Sequence, residues 1–113
     1  MVRGVHELAL MQSVVDSVVE QVGTEQVVLV RLAIGELAGV ATDALRFCFD
    51  VCTRDTALAN AELDIMSIPG RARCRTCTRV ETMRSLASPC SCGSFDRELV
   101  AGNELRLVEV EVL

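Results

Sequence analysis

The sequence has no tryptophan, no tyrosine and no lysine, and it has a single histidine. Three phenylalanines are its only aromatic residues, so the core of a chain that is 50% apolar must consist mainly of aliphatic side chains. Its 113 residues allow one ordinary domain, or one small domain that carries a minidomain. Because a chain of this size buries a smaller share of its surface than a larger one, an additional crosslink or metal would help it fold.

The chain also lacks any run near the ~18 apolar residues that span a bilayer. His6, Glu7 and Gln12 interrupt the N-terminal segment where a signal peptide would have its apolar core. We therefore expect a cytoplasmic protein with no membrane association, in which clustered thiols more often hold metal than form disulfides. The net charge of -5 argues against nucleic acid as a partner.

Hydrophobic periodicity predicts two helices and three strands. A stripe of apolar residues from Leu8 to Val22, with Glu7 off the stripe, indicates the first helix, and Gly23 is its expected C-cap. Thr42 is the expected N-cap of the second helix. The predicted helices are His6–Val22 and Thr42 to about Thr53, and the predicted strands are Gln26–Gly35, Glu62–Ile68 and Asn103–Leu113.

Turn signals at Pro69-Gly70 and Gly102-Asn103 separate a cysteine-rich insert from the rest of the chain. The second and third strands are expected to pair antiparallel, which would bring the ends of the insert together. The predicted fold class is α+β: a three-stranded, mainly antiparallel sheet with two helices, plus an inserted minidomain. Residues 1–68 and 99–113 would form one domain, with a charge balance near -8, and residues 69–98 the other, with +3.

Four of the six cysteines lie in this insert, spaced C-x2-C, twelve residues, then C-x-C: Cys74, Cys77, Cys90 and Cys92. Two close pairs separated by a ribbon-length loop suit tetrahedral Zn(II) bound by four thiolates. Four protein ligands leave no open position, so this zinc would be structural rather than catalytic. Disulfides or a redox CxxC are the alternatives, and the second pair is one residue shorter than the commoner C-x2-C.

Two further cysteines, Cys48 and Cys52, lie four residues apart on the second predicted helix. They share a face that a metal could use, but two small core side chains are the more ordinary interpretation. The lone histidine, His6, would by composition alone be assigned no special task.

The segment "VHELALMQSVVDSV" around His6 resembles the start of the HypA/HybF family of hydrogenase nickel-insertion proteins, whose members open Met-His-Glu-Leu. The resemblance continues through "IGELAGV", "LRFCFD", "AELDI", the cysteine ribbon and "GNELRLVEVEV", which together cover essentially the whole chain. It implies a nickel metallochaperone with an α/β nickel-binding domain and a zinc ribbon inserted before the last strand. Such a protein is not an enzyme, and it has no catalytic residues.

The resemblance also implies ligands and partners. Nickel would be bound by backbone nitrogens near the N-terminus, the His6 imidazole and Glu7, and passed toward the large subunit of [NiFe]-hydrogenase with the nickel-handling GTPase HypB. Urease and its accessory proteins are further candidate clients, and a homodimer is compatible with the sequence. The rival interpretation is a zinc-ribbon interaction or regulatory module that binds no nickel.

The sequence departs from the family pattern in two places. "SPCSC" stands where the family more often has C-P-x-C, and five residues precede His6. Val5 occupies the position of the family's initiator Met, and a GTG codon encodes either residue according to whether it starts translation. We therefore expect the native protein to begin at position 5, where a free amine would adjoin His6.

Overall fold

The computed structural model describes the backbone from Arg3 to Leu113 and the side chains from His6 onward. This part of the chain forms two helices and six strands. The helices are α1 (Arg3–Val22) and α2 (Thr42–Cys52). The strands are β1 (Val27–Gly35), β2 (Glu62–Ile68), β3 (Arg71–Cys74), β4 (Val80–Thr82), β5 (Arg97–Ala101) and β6 (Leu105–Val112). They form two three-stranded sheets, ordered β2-β1-β6 and β4-β3-β5.

The chain divides into two compact units. The first consists of residues 3–32, 40–66 and 106–113, and it contains both helices. The second consists of residues 33–39 and 67–105, and it contains the four clustered cysteines and the β4-β3-β5 sheet. The α+β class, with two helices, a three-stranded sheet and a cysteine minidomain, is confirmed. The predicted assignment of a nickel-binding and a zinc-binding domain stays a prediction. No helix between Arg3 and Leu113 is long and apolar enough to cross a membrane.

Helix α1 buries a stripe that differs by one residue from the predicted one. Met11, Val15 and Val18 are buried as expected, but the stripe continues back to Glu7, which is 1% exposed, whereas Leu8 is 45% exposed. Residues 7, 11, 15 and 18 share a helix face by their spacings of four, four and three. The placement of Glu7 off the stripe was therefore wrong. Gly23 ends the helix as predicted, with φ +63° and its amide bonded to the Val19 carbonyl at 3.0 Å.

Helix α2 begins at Thr42, but Thr42 is not its N-cap as predicted. Ala41 occupies that position in an extended conformation, and no side chain of the cap residue bonds to the helix. The backbone N–H of Ala41 instead donates to Glu7 Oε2 at 3.4 Å, a long and weak hydrogen bond. A carboxylate on α1 thus lies at the amino end of α2, where the helix dipole favours negative charge.

Strand β1 lies between β2 and β6, so the predicted pairing of the second and third strands with each other was wrong. The near-continuous apolar run of β1 has no exposed position, which is typical of the central strand of a sheet. Bonds from Gly35 N–H to the Glu104 carbonyl and from Leu113 N–H to the Gln26 carbonyl show that β1 and β6 are antiparallel. The side chain of Arg31 on β1 donates hydrogen bonds to both neighbouring strands, to Asp64 of β2 at 2.6 Å and to Glu109 of β6.

In the second unit, Gly102 closely approaches two other glycines, Gly35 and Gly70. A Cβ on Gly35 would overlap the Gly102 carbonyl, and a Cβ on Gly102 would lie 2.5 Å from the Gly70 Cα. Gly102 also has φ +110°, a conformation that L side chains rarely adopt. The turns that were predicted from Pro69-Gly70 and Gly102-Asn103 therefore meet, which brings the two ends of the cysteine-containing segment together.

Candidate metal centre

The first cysteine pair forms a tight turn after β3. The Cys74 sulfur accepts the backbone N–H groups of Thr76 and Cys77, each at 3.4 Å, and the Thr78 N–H bonds the Cys74 carbonyl at 2.9 Å. Thr78 follows the pair with φ +65°, which a β-branched residue seldom adopts. Two amides directed at one sulfur favour its thiolate, which is the form that ligates metal.

The second pair, Cys90 and Cys92, forms a shorter turn. The Cys90 N–H bonds the Ser94 carbonyl and the Gly93 N–H bonds the Cys90 carbonyl, both at 2.8 Å. Gly93 has φ +94°, so each pair is followed by a residue with positive φ. The two turns thus have related backbone paths although the second has one residue fewer between its cysteines.

The four sulfur atoms converge as the spacing predicted. All lie within 4.8 Å of one another, with Cys74 to Cys92 at 3.7 Å and Cys77 to Cys90 at 3.5 Å. Four thiolates at the ~2.3 Å bond length of Zn(II) would be about 3.8 Å apart in a tetrahedron, so the donor set fits such an ion. All six cysteines are free, and the sulfurs are much farther apart than the ~2.05 Å of a disulfide.

Protonation within the cluster is uneven. The pKa of Cys74 is lowered to about 6, mainly because the Cys77 N–H donates to its sulfur. The Cys92 N–H also favours the Cys90 thiolate, but burial and the three neighbouring thiols outweigh it and raise the pKa of Cys90 to about 12. Four adjacent sulfurs therefore do not all ionise by themselves at neutral pH, and a divalent cation is the group that would neutralise them.

Polar side chains surround the second turn. Glu81 on β4 accepts the Ser91 N–H at 3.0 Å and the Ser91 hydroxyl at 2.5 Å. Arg79 also donates to the Ser91 hydroxyl, and Arg97, whose side chain is 3% exposed, approaches Glu81 at 3.8 Å. The hydroxyl and N–H of Ser91, in that order, lower the pKa of Glu81 to about 2.

Cys48 and Cys52 lie outside this centre. Cys48 is buried among the core side chains and Cys52 is half-buried, where burial above all raises the pKa of its thiol. Within the side chains described, from His6 onward, the four-cysteine group is the one cluster of three or more potential metal ligands. This agrees with the interpretation of Cys48 and Cys52 as small core residues.

His6 and Glu7 are placed differently from each other. His6, the fourth residue of α1, is exposed, whereas Glu7 is buried and one of its oxygens, Oε1, has no hydrogen-bond partner among the described residues. Successive residues of a helix project about 100° apart, so the two side chains do not converge on one point in this conformation. Their role in nickel binding stays a prediction.

Sequence reasoning found all four cysteines but missed Glu81, Ser91 and Arg97. Glu81 and Ser91 are ten residues apart, and no periodicity links a strand residue to a loop residue at that distance. The only sequence signal was the irregular C-S-C spacing, which indicated that this half of the site needed a different support.

Comparison with known proteins agrees with the geometry. Residues 5–112 match the family model for HypA, described as a hydrogenase/urease nickel incorporation metallochaperone. The hydrogenase maturation factor HypA of Geobacter metallireducens is 44% identical over 108 residues, which are 95% of this chain and 98% of that protein. The factor from Nostoc punctiforme is 40% identical over 107 residues, 95% of both chains.

The fold also has solved counterparts. The solution structure of the Ni metallochaperone HypA from Helicobacter pylori superposes with a TM-score of 0.65 at 22% identity, over 95% of this chain and 97% of that one. At this identity the likeness establishes the fold alone. With the family match over nearly the whole sequence and the four-cysteine centre, the chain belongs to the HypA family.

Proposed function

We propose that this protein is a nickel metallochaperone that binds Ni(II) through His6 and delivers it during maturation of [NiFe]-hydrogenase. The observation that carries the proposal is the family match over residues 5–112, which includes His6, Glu7 and all four clustered cysteines. The protein acts as a carrier rather than an enzyme, in the cytoplasm, and Ni(II) is its cargo.

In this proposal the four-cysteine centre holds zinc permanently. Buried Cys74 and Cys90, half-buried Cys77 and exposed Cys92 occupy all four positions of a tetrahedral ion. The second unit has few large buried apolar side chains, namely Ile34 and Met83, so metal binding would supply much of its folding free energy. A closed thiolate site of this kind has no vacant position for nickel to be handed on.

His6, by contrast, suits the binding of a nickel ion that must later be released. It is the one imidazole of the chain, it is exposed, and Ni(II) favours nitrogen ligands in planar geometry. The first backbone amides of a helix have no carbonyl partner within it, and in α1 the amide of Val5, which precedes His6, is one of these. Imidazole and backbone nitrogens are thus available at the start of α1 without breaking a hydrogen bond of the helix.

Glu7 can join His6 on one ion only if the start of α1 leaves its helical conformation. The buried position of Glu7 is poorly stabilised, because Oε1 is buried without a partner and Oε2 accepts one long hydrogen bond from the Ala41 amide. Binding of nickel by Glu7 would therefore relieve an unfavourable burial. We propose that nickel capture unwinds this segment, with HypB and the hydrogenase large subunit as the partners in transfer and urease as a further client.

Nickel calorimetry on the zinc-loaded protein tests the proposal. His6→Ala should abolish tight nickel binding and leave zinc content and the circular dichroism spectrum unchanged, since His6 is exposed. Gln12→Ala, which also changes an exposed polar residue of α1, is the matched control and should bind nickel normally. Nickel affinity should fall as the solution is acidified, because only neutral imidazole is a ligand.

The rival function is a zinc-ribbon interaction module that binds no nickel. Equal nickel binding by the parent chain and His6→Ala would favour that function over ours. A shortened chain that begins with Met in place of Val5 provides a second comparison. Its free amine would close a chelate with the His6 amide and imidazole, and it should bind nickel more tightly than the 113-residue chain.

A further inference from the structure

The second cysteine pair of the centre has a support that the first pair lacks. In the first turn, the amides of Thr76 and Cys77 both donate to the Cys74 sulfur. In the second turn, the N–H of the intervening residue, Ser91, is directed away from the sulfurs and donates to Glu81. One residue fewer between the cysteines thus leaves an amide that requires an acceptor elsewhere.

Glu81 holds Ser91 at two points. Its Oε1 accepts the Ser91 N–H at 3.0 Å, and its Oε2 accepts the Ser91 hydroxyl at 2.5 Å. Two bonds from one carboxylate to one residue fix both the position and the orientation of that residue. Since Ser91 is bonded covalently to Cys90 on one side and Cys92 on the other, its orientation determines where both sulfurs point.

Glu81 is itself held in place from both sides. Arg79 donates to the Ser91 hydroxyl and lies 3.7 Å from Glu81 Oε2, and buried Arg97 approaches Oε1 at 3.8 Å while donating to the Ser88 carbonyl at 2.9 Å. These four side chains, Glu81, Ser91, Arg79 and Arg97, are called the Glu81 clamp below.

The ribbon sheet accounts for the position of the clamp. Glu81 on β4 is opposite Ala72 of the central strand β3, and Arg97 on β5 is opposite Cys74. Residues directly opposite in antiparallel strands point to the same face, so Glu81 and Arg97 flank β3 on the face that carries the Cys74 sulfur. Ala72 is fully buried between them, and its small side chain leaves room for the carboxylate and guanidinium to approach across it.

We propose that Glu81 is a positioning residue for the metal centre, which holds the short Cys90–Cys92 turn in the geometry that a tetrahedral ion requires. The proposal rests on occupation of the four cysteines by zinc and is independent of nickel binding. Outer groups that orient metal ligands typically change metal affinity by roughly 10–100-fold when removed. Here the orienting group acts through the backbone and side chain of Ser91 rather than on a ligand atom alone.

The experiment measures zinc affinity by competition with a chromophoric chelator on the full-length protein. Glu81→Ala should weaken zinc binding roughly 10–100-fold. Ser91→Ala, which removes the hydroxyl and keeps the N–H, should weaken it severalfold. Glu98→Ala is the matched control, because Glu98 is an exposed carboxylate of the same sheet, opposite Arg73 on the other face. It should bind zinc as the parent chain does.

Two further readouts separate positioning from general stability. Cobalt(II) substituted for zinc should give altered ligand-field and charge-transfer bands in Glu81→Ala and Ser91→Ala, whereas Glu98→Ala should give the parent spectrum. The double variant Glu81→Ala/Ser91→Ala should be about as weak as Glu81→Ala alone, because both changes remove the same contact.

The outcomes are distinguishable. If Glu81→Ala and Ser91→Ala keep the parent zinc affinity and cobalt spectrum, the clamp has no positioning role and the proposal is overturned. Additive losses in the double variant would also overturn it, since the two residues would then act separately. If the parent chain binds neither zinc nor cobalt at the four cysteines, the zinc occupancy in the proposed function is wrong instead.

Discussion

Replacement of Glu7 by methionine should stabilise the fold and weaken nickel binding, two effects of opposite sign at one position. Glu7 is 1% exposed on the face of α1 that also buries Met11, Val15 and Val18. A carboxylate is expensive to bury when its oxygens lack partners, and here Oε1 has none and Oε2 has one long bond. Methionine has a similar length, needs no hydrogen bond and adapts to the space available.

The magnitude follows from the groups involved. An unsatisfied buried polar atom costs about 1–3 kcal/mol, and the 3.4 Å bond to the Ala41 amide offsets at most ~1 kcal/mol of it. We therefore expect Glu7→Met to raise the free energy of unfolding by about 1–2 kcal/mol. In a domain of this size, that corresponds to a rise in Tm of roughly 5–10 °C.

Urea unfolding followed by circular dichroism, at saturating zinc and without nickel, measures the first effect. Glu20→Met is the control, because Glu20 is exposed on the same helix and its replacement should change stability by less than ~0.5 kcal/mol. Nickel calorimetry on the same proteins measures the second effect, with weaker binding expected for Glu7→Met. A loss of more than ~1 kcal/mol in Glu7→Met would refute the reasoning, since the carboxylate would then be well compensated where it lies.

Three further predictions concern the second unit. Thr78→Gly should stabilise the zinc-bound ribbon by about 0.5–1 kcal/mol, because glycine adopts φ +65° without strain; unchanged resistance to chelator-induced unfolding would contradict this. Gly102→Ala should destabilise the protein by more than ~2 kcal/mol in urea unfolding, since its Cβ would lie 2.5 Å from Gly70 and its φ is +110°; wild-type stability would show that the turn can shift. Zinc affinity should fall steadily as the solution is acidified, because the raised pKa of Cys90 means that a proton must leave before the metal binds. A chelator competition series from pH 8 to about 5.5 measures it, and an affinity independent of pH would show that the sulfurs are already ionised without metal.

Sequence analysis correctly predicted those structural features that a local residue pattern determines. The bounds of β2 agree with the prediction, α1 ends at Val22 as expected, and the cysteine spacing located the metal centre. Local sequence patterns did not predict features that depend on residues distant in the sequence. Thr42 has the right chemistry for an N-cap, but Glu7 from another helix serves the amide of Ala41 instead, and periodicity alone does not reveal that exchange.

The order of the strands could have been inferred more fully. A strand as continuously apolar as β1 is typical of a central position, whereas the many exposed positions along β6 are typical of an edge strand. Adjacency of the second and third strands was inferred from the short distance that the insert must close. The three contacting glycines, Gly35, Gly70 and Gly102, close that distance without direct pairing of those strands.

In the proposed function, zinc must be held permanently and nickel must be released. The residues that would bind the two metals lie in correspondingly different environments. Zinc must stay, and its four sulfurs lie on turns fixed by backbone bonds and by Glu81, which hold the four ligands close together. Nickel must leave, and His6 is an exposed side chain near the start of α1. Glu7 opposes the release of nickel, because its side chain returns to an unfavourable burial whenever nickel leaves. The cost of that return raises nickel affinity by about the free energy that Glu7→Met should add to the stability of the fold, so the two measurements test a single quantity.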